Sequence, residues 1–329
     1  KAGRGINHRE LLEMLGKRAQ DAYKLTLDCG AKYIDQLTHA GGHSVPRSLQ
    51  TENGSGSGIV LPMIDTFEKL DGTTVKKRTK FDNFVFDDKG AVVGVIVREN
   101  YKFDGIVHLA AKAGVRPSFE KPLDYEETNI KGTLNLLELC KKFKINNFVC
   151  ASSSSVYGDT PKLPFSESDN IKKTLSPYAL TKKTCEEMAY LYYKNYGIKV
   201  IMLRFFTVYG AAQRPDLAIH KFAKKLKYNE KISIYGDGKT GRDYTYIDDI
   251  IAGITASIKF INKKNECYEI FNLGNNRVIT LMEMVKTMEK ISGYKADLEF
   301  CDFQKGDMPM TYADISKAKK LLGYSPKTD

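Results

Sequence analysis

Two side chains capable of acid–base chemistry lie four residues apart in the segment Ser-Pro-Tyr-Ala-Leu-Thr-Lys at 176–182. Pro177 suits a first helical turn and Ser176 suits a helix cap, so Tyr178 and Lys182 are predicted to share one helix face. A lysine ammonium beside a phenol favours the phenolate, which allows a tyrosine to act as a base near neutral pH. Taken alone the spacing is weak evidence, because many surface helices carry a tyrosine and a lysine four residues apart.

A run of hydroxyl side chains precedes this pair in the sequence. The apolar segment that ends at Cys150 and Ala151 leads directly into four serines at 152–155. If the apolar segment is a strand of a parallel sheet, the serines lie at its carboxyl end, where open α/β sheets bind ligands. Together with the tyrosine and the lysine, the serines predict an active site. A polar exit from a strand into a loop is the alternative.

The elements that must position these residues alternate from about residue 101 onward. Apolar strands are predicted at 103–109, 147–151 and 199–205, and amphipathic helices at 130–143 and 176–196. This alternation predicts a parallel sheet covered by helices. Residues 211–329 are more irregular and predict a smaller mixed α/β cap.

Residues 1–100 have a different character. Helices are predicted within 8–35 and near 60–69, followed by a β-hairpin at 80–98 whose turn is 87–90. No strand, glycine-rich turn and helix occur in succession before residue 101, although such a unit normally opens a dinucleotide-binding fold. The predicted fold class is α/β, with an incomplete Rossmann-like parallel sheet and a small mixed cap, preceded by an α+β fragment. The predicted domains are 1–100, 101–210 and a mainly substrate-binding cap at 211–329.

Composition excludes several classes of function. The chain has 329 residues, of which 42% are hydrophobic and 28% charged, as is ordinary for a soluble globular protein. The net charge of +11 comes from lysines scattered in pairs, so a nucleic-acid binder is not predicted. No apolar run is long enough to cross a membrane. The six cysteines lack metal-site spacing and are typical of reduced thiols in a cytoplasmic protein, and no metal is expected.

Several motifs occur together in a fixed order. They are His-Leu-Ala-Ala at 108–111, Ala-Ser-Ser-Ser-Ser-Val-Tyr-Gly at 151–158, Tyr-Ala-Leu-Thr-Lys at 178–182, Leu-Arg-Phe-Phe-Thr-Val-Tyr-Gly at 203–210 and Gly-Arg-Asp-Tyr-Thr-Tyr at 241–246. Together they resemble the extended short-chain dehydrogenase/reductase superfamily, in its NAD-dependent nucleotide-sugar epimerase branch. Ala-Gly-Val-Arg at 113–116 and Gln-Arg-Pro-Asp at 213–216 make UDP-glucuronate 4-epimerases the nearest resemblance.

The resemblance implies catalytic and cofactor-binding roles. Ser153 is expected to hydrogen-bond the sugar hydroxyl, Tyr178 to remove its proton, and Lys182 to hold the nicotinamide ribose of NAD. Ala110 and Ala111 are expected to border the cofactor, together with Tyr178 and Lys182. Asn129 matches a family asparagine near the same site.

The resemblance also implies a substrate site for a UDP-sugar. Arg242 is expected to pair with the diphosphate, since a guanidinium suits phosphate oxygens. Tyr235 is expected to lie against the uracil. The residues expected to meet a sugar carboxylate are Ser154, Ser155, Thr207 and Arg214. The sequence Gly-Asp-Gly-Lys-Thr-Gly at 236–241 fits a dinucleotide fingerprint literally, but no helix follows it, so it is interpreted as the loop before Arg242.

Other functions are left open by the sequence. Residues 1–100 resemble an internal fragment of a fumarate-reductase-type flavoprotein, which would make the chain a flavin-dependent oxidoreductase. A UDP-sugar binder without activity, a 4,6-dehydratase and a decarboxylase are further alternatives, as is an epimerase impaired by the missing adenosine-binding half. Members of the epimerase branch pair through two long helices, here 130–143 and 176–196, so a homodimer is expected.

Overall fold

The computed structural model describes residues 9–34, 52, 57–71, 80–86, 92–98, 104–171, 173–211, 213–302 and 308–328. The chain divides into two compact units, Lys1–Lys102 and Phe103–Asp329.

The first unit contains two helices and a hairpin. Helix α1 spans Arg9–Asp28 and α2 spans Ser57–Glu68, while strands β1, Lys80–Phe86, and β2, Val92–Arg98, pair antiparallel. The Thr66 hydroxyl donates to the Cys29 carbonyl over 3.4 Å and ties α2 to the end of α1. The predicted helices and hairpin strands are confirmed, and the predicted turn at 87–90 lies outside the described residues.

The second unit alternates strands and helices. In chain order its elements are β3 Gly105–His108, α3 Val115–Glu120, α4 Pro122–Tyr125, a π-helix Glu126–Lys131, α5 Gly132–Phe143, β4 Asn147–Ser153, a 3₁₀ helix Ser154–Tyr157, α6 Pro177–Tyr196, β5 Lys199–Phe205, β6 Thr207–Tyr209, α7 Ala218–Lys227, β7 Ile232–Tyr235, β8 Gly241–Tyr246, α8 Ile247–Asn262, β9 Tyr268–Leu273, β10 Val278–Thr280, α9 Leu281–Ser292, β11 Leu298–Cys301 and α10 Ser316–Leu322.

The main sheet has the strand order β3-β4-β5-β9, and all of its described pairs are parallel. Helices α5 and α6 cover one face, where Leu137 and Phe148 are fully buried, and α8 covers the other, where Ile201 and Phe271 are fully buried. Apolar burial on both faces is the reason that β4 contains the apolar run 148–151 and β5 the apolar run 200–203. The predicted α/β class with a parallel sheet is therefore confirmed.

The cap contains two smaller sheets, with the orders β10-β8-β6 and β11-β7. Strand β8 pairs parallel with β6 and antiparallel with β10, so the first of these sheets is mixed. Helices α7 and α9 pack against β7 through buried Phe222, Val285 and Ile234. Strand β6 follows β5 of the main sheet directly in the chain and pairs with β8, so it joins the cap to the carboxyl end of the main sheet.

Candidate active site

The start of helix α6 fixes the predicted tyrosine and lysine. The Ser176 hydroxyl accepts a hydrogen bond from the Ala179 amide over 3.1 Å, and Pro177 occupies the first helical position. Lys182 is buried, and its ammonium donates to the Ala151 carbonyl of β4 over 2.8 Å. Tyr178 is half-buried, and its ring centroid lies 6.2 Å from that of Tyr125 on α4. The start of the helix therefore places Lys182 against β4 and Tyr178 against α4.

The serine run lies at the carboxyl end of β4. Ser153 is the last residue of the strand, and its hydroxyl accepts the Ser155 amide over 3.2 Å as the cap of the 3₁₀ helix. Ser153 and Ser154 are buried, while Ser155 is half-buried. The structure therefore brings Ser153 to the strand end to which Lys182 is bonded.

The residues predicted to border the cofactor follow β3. Ala110 is exposed and Ala111 is half-buried. Asn129 is buried, and its side-chain amide is hydrogen-bonded within the protein. Its oxygen accepts from the backbone amide of Lys112 over 2.8 Å, and its nitrogen donates to the Lys112 carbonyl and to the Thr181 hydroxyl, both over 3.0 Å. Asn129 thus holds the loop after β3 against α6.

Three of the predicted substrate residues line one cavity of about 320 Å³, namely Arg214, Tyr235 and Arg242. The cavity wall also carries Arg116, whose guanidinium carbon lies 5.1 Å from the centre of the Tyr235 ring. A guanidinium over a phenol ring is a favourable cation–π arrangement.

Sequence reasoning missed two more cations of this cavity wall. Lys221 and Lys225 stand four residues apart on α7 and both line the cavity, whereas Asp216 is the one acidic residue among its lining residues. Their spacing of four residues, which places both side chains on one helix face, is the sequence feature that could have indicated them. The excess of cations makes the cavity suited to a ligand that carries several negative charges.

The remaining predicted substrate residues are not among the residues that line this cavity. Ser154 and Ser155 form the 3₁₀ helix after β4, and Thr207 begins β6, where it pairs with Tyr244 of β8. Tyr244 itself lines the cavity.

A shared carbonyl connects the cavity to the tyrosine pair. The Ala113 carbonyl accepts the Tyr125 hydroxyl over 3.2 Å and Nη1 of Arg214 over 3.0 Å. Because the Tyr125 ring also contacts that of Tyr178, Ala113 and Tyr125 link Arg214 to Tyr178.

Arg214 already binds a carboxylate within the protein. Its Nε donates to one oxygen of Asp216 over 3.0 Å, and its Nη2 donates to the other over 2.7 Å. These hydrogen bonds raise the pKa of Arg214 and lower the pKa of Asp216. The guanidinium therefore presents the bidentate geometry that carboxylate recognition requires.

His108, at the end of β3, is a buried neutral group near Lys182. Burial, and to a smaller extent the Lys182 ammonium, lowers the pKa of His108 to about 4. One ring nitrogen, Nε2, lies 3.1 Å from the Thr133 hydroxyl of α5. The imidazole is therefore uncharged at neutral pH and adds no repulsion to the lysine.

Within the described parts of the chain, no cluster of three or more histidine, cysteine, aspartate or glutamate side chains could hold a metal ion. The same residues include no helix that is long and apolar enough to cross a membrane.

Comparison with known proteins identifies the family. The family described as GDP-mannose 4,6 dehydratase matches residues 54–329, and the chain belongs to it. A UDP-glucuronate 4-epimerase from Thermodesulfobacterium geofontis is 44% identical over 77% of this chain and 77% of that protein. An uncharacterized protein from Methanocaldococcus jannaschii is 50% identical over 70% of each chain.

Among solved structures, the UDP-glucuronic acid 4-epimerase from Bacillus cereus, in complex with UDP-glucuronic acid and NAD, matches with a TM-score of 0.65. It is 42% identical, and the match covers 69% of this chain and 71% of that chain. These relatives confirm the predicted resemblance to NAD-dependent nucleotide-sugar 4-epimerases. The family match begins at residue 54, upstream of the predicted domain boundary, and the division into domains stays a prediction.

Proposed function

We propose that this chain is an NAD-dependent UDP-sugar 4-epimerase that interconverts UDP-glucuronate and UDP-galacturonate. The observation that carries the proposal is a juxtaposition. Lys182 bonds to β4 two residues before Ser153 ends that strand, and Tyr178 precedes Lys182 by one helical turn. Tyr178 contacts Tyr125, which shares the Ala113 carbonyl with Arg214 of the cationic cavity. The similarity to UDP-glucuronate 4-epimerases supports the choice of substrate.

In this proposal three side chains move and hold the proton of the sugar's 4-hydroxyl. Tyr178, as phenolate, removes the proton, and the Ser153 hydroxyl hydrogen-bonds the same sugar oxygen. The ammonium of Lys182 stabilises the phenolate, since both lie on one face of α6. After the keto-sugar has turned its other face toward the cofactor site, Tyr178 returns the proton to the oxygen on carbon 4, and the opposite carbon 4 epimer is formed.

The residues around Lys182 fit the nicotinamide half of NAD. Lys182 offers ammonium protons at the carboxyl end of β4, and Ala110 and Ala111, which follow β3, have short side chains that suit the approach of a planar ring. When bound, NAD supplies a reversible acceptor for the hydride of carbon 4. Loop and helix stay aligned through Asn129, which hydrogen-bonds both Lys112 and Thr181.

The cavity supports recognition of an acidic UDP-sugar. Arg242, Lys221 and Lys225 supply positive charge for a diphosphate, and Tyr235 offers a ring face for the base. Arg214 binds a carboxylate in bidentate fashion, as its pairing with Asp216 illustrates, and it is proposed to exchange Asp216 for the glucuronate carboxylate.

A homodimer is part of the proposal. Helices α5 and α6 bury Leu137 and Cys185 toward the sheet but expose apolar side chains on their outer faces. These exposed side chains include Leu139, Phe143, Leu180, Leu191 and Tyr196. A second copy paired through the same helices would cover them, and sedimentation equilibrium of the purified chain measures the resulting mass.

Proton NMR of UDP-glucuronate incubated with the purified chain, with and without NAD⁺, tests the proposed reaction. We expect UDP-galacturonate to form only with NAD⁺ and to be absent for Tyr178→Phe. An unchanged sugar whose uridine signals still broaden would instead support the alternative of a UDP-sugar binder without activity. The relatives give no support to the flavin-dependent alternative.

A further inference from the structure

A buried ion pair lies one helical turn beyond Lys182 on α6. Glu186 and Arg204 are each only 3% exposed. Nε of Arg204 donates to Oε1 of Glu186 over 2.9 Å, and its Nη2 donates to Oε2 over 2.8 Å. Two charges withdrawn from water are tolerated only when they are paired and hydrogen-bonded as closely as these.

The Glu186 carboxylate also reaches the strand that carries the serines. The Ser152 hydroxyl donates to Oε1 of Glu186 over 2.6 Å, and Ser152 immediately precedes Ser153. One carboxylate therefore joins α6, β4 and β5 directly behind the proposed active centre. Since Tyr178, Lys182 and Glu186 follow at intervals of four residues, they lie along one side of the helix.

The network continues behind Arg204. Its guanidinium carbon lies 4.8 Å from the centre of the buried Tyr157 ring. The Tyr157 hydroxyl donates to Oδ1 of Asn272 over 2.7 Å, and Asn272 belongs to β9. Arg204 is thereby held from both sides, which leaves the Glu186 carboxylate little freedom to move.

We propose that the Glu186–Arg204 pair positions the epimerase centre, because it locks α6 against β4 and balances the charge that Tyr178 experiences. This inference rests on the proposed function. Glu186 lies eight residues from Tyr178, or about 12 Å along the helix at about 1.5 Å per residue. An unpaired charge at that distance, with an effective dielectric constant of about 20, shifts the ionisation of the phenol by about 1 pH unit.

Other charged or titratable groups also face Tyr178. Lys182 lies on the same helix, Tyr125 comes from α4, and Arg214 with its partner Asp216 comes from the segment after β6. None of them is substituted in the variants compared, so all of these variants retain the same charged groups around Tyr178.

The two single substitutions should act in opposite directions. Glu186→Gln leaves the Arg204 cation unpaired and favours the phenolate, so Tyr178 should ionise at a pH about 1 unit lower. Arg204→Met leaves the Glu186 anion unpaired, and Tyr178 should ionise at a pH about 1 unit higher. The combined variant Glu186→Gln/Arg204→Met should return close to the original value.

The measurement is a pH titration of the full chain with ¹³C-labelled tyrosine rings, in which the Tyr178 signal is assigned by its absence in Tyr178→Phe. Glu187→Gln is the matched control, because the Glu187 side chain is 68% exposed on the same helix, and it should leave the titration unchanged. Shifts of the same sign in both single variants, or no shift in either, would overturn the proposal.

A second readout separates folding from positioning. Removal of one member of a buried pair destabilises a fold strongly, whereas neutral replacement of both is tolerated. If Arg204→Met does not fold, Glu186→Gln and the combined variant still decide the outcome through their titrations. The titration needs no turnover, so the two proposals can fail separately. If the chain is inactive but the two single variants shift the Tyr178 titration in opposite directions, only the proposed function is contradicted. If the chain is active but the shifts are absent, only this inference is contradicted.

Discussion

Protonation of His108 should destabilise the second unit. The folded chain lowers the pKa of this imidazole from 6.5 to about 4, chiefly because the ring is buried. Between pH 6.5 and pH 4, His108 binds a proton in the unfolded chain but not in the folded chain. The contribution of His108 to the unfolding free energy is therefore complete above pH 6.5 and is lost as the pH falls toward 4. The difference corresponds to about 3 kcal/mol of unfolding free energy.

The assay is urea unfolding followed by tyrosine fluorescence, at intervals between pH 7 and pH 4, for the original chain and for His108→Gln. Asp243 changes the unfolding free energy in the opposite direction. Burial raises its pKa to about 6, so as the pH falls its carboxyl is protonated in the folded chain before it is protonated in the unfolded chain. The comparison with His108→Gln removes this contribution, since both proteins contain Asp243. The difference in unfolding free energy should change by about 3 kcal/mol over this range. Parallel pH curves for the two proteins would refute the reasoning.

Two further predictions concern the carboxylate site and a strained turn. Arg214→Met should lower kcat/KM for UDP-glucuronate about 10- to 100-fold, because its charge-assisted hydrogen bonds are lost. Lys224→Met, on exposed Lys224 of α7 that does not line the cavity, should leave kcat/KM unchanged in the same NMR assay. Equal losses in the two variants would contradict the role of Arg214. Gly158→Ala should lower the melting temperature more than Gly197→Ala, although both glycines have positive φ. A Cβ added at Gly158 would lie 1.8 Å from the Lys173 carbonyl oxygen, whereas one added at Gly197 meets no atom within 4 Å. Similar melting temperatures for the two variants, measured by circular dichroism, would contradict that packing argument.

The main sheet could be predicted from the sequence because its strands are buried on both faces. Strands β4 and β5 are built on the apolar runs 148–151 and 200–203, and their predicted positions agree with the structure to within two residues. Strand β8 was missed because none of its buried residues, Gly241, Asp243 and Thr245, has an apolar side chain that would mark a strand. Backbone amides of Asn275, Asn276 and Ala313 satisfy the Asp243 carboxylate, and these partners are distant in sequence. No local pattern can reveal such a buried carboxylate.

The candidate site was predictable where spacing within one element defined it. Tyr178 and Lys182 share a helix, and the serines end a strand, so their convergence followed from elementary geometry. The Glu186–Arg204 pair spans two elements, and Arg204 lies within an otherwise apolar strand, so neither residue indicated its partner in sequence. The catalytic, cofactor and substrate roles of the individual residues stay predictions, as do the cytoplasmic location and the resemblance of residues 1–100 to a flavoprotein.

The central claim is that carbon 4 of UDP-glucuronate is oxidised and reduced again while Tyr178 moves the hydroxyl proton. The most direct test uses UDP-glucuronate with deuterium at carbon 4, incubated in ordinary water with the full chain and NAD⁺, and follows the product by NMR and mass spectrometry. UDP-galacturonate that retains the deuterium at carbon 4 is the predicted result. Loss of the deuterium to solvent, or no UDP-galacturonate at all, would contradict the claim.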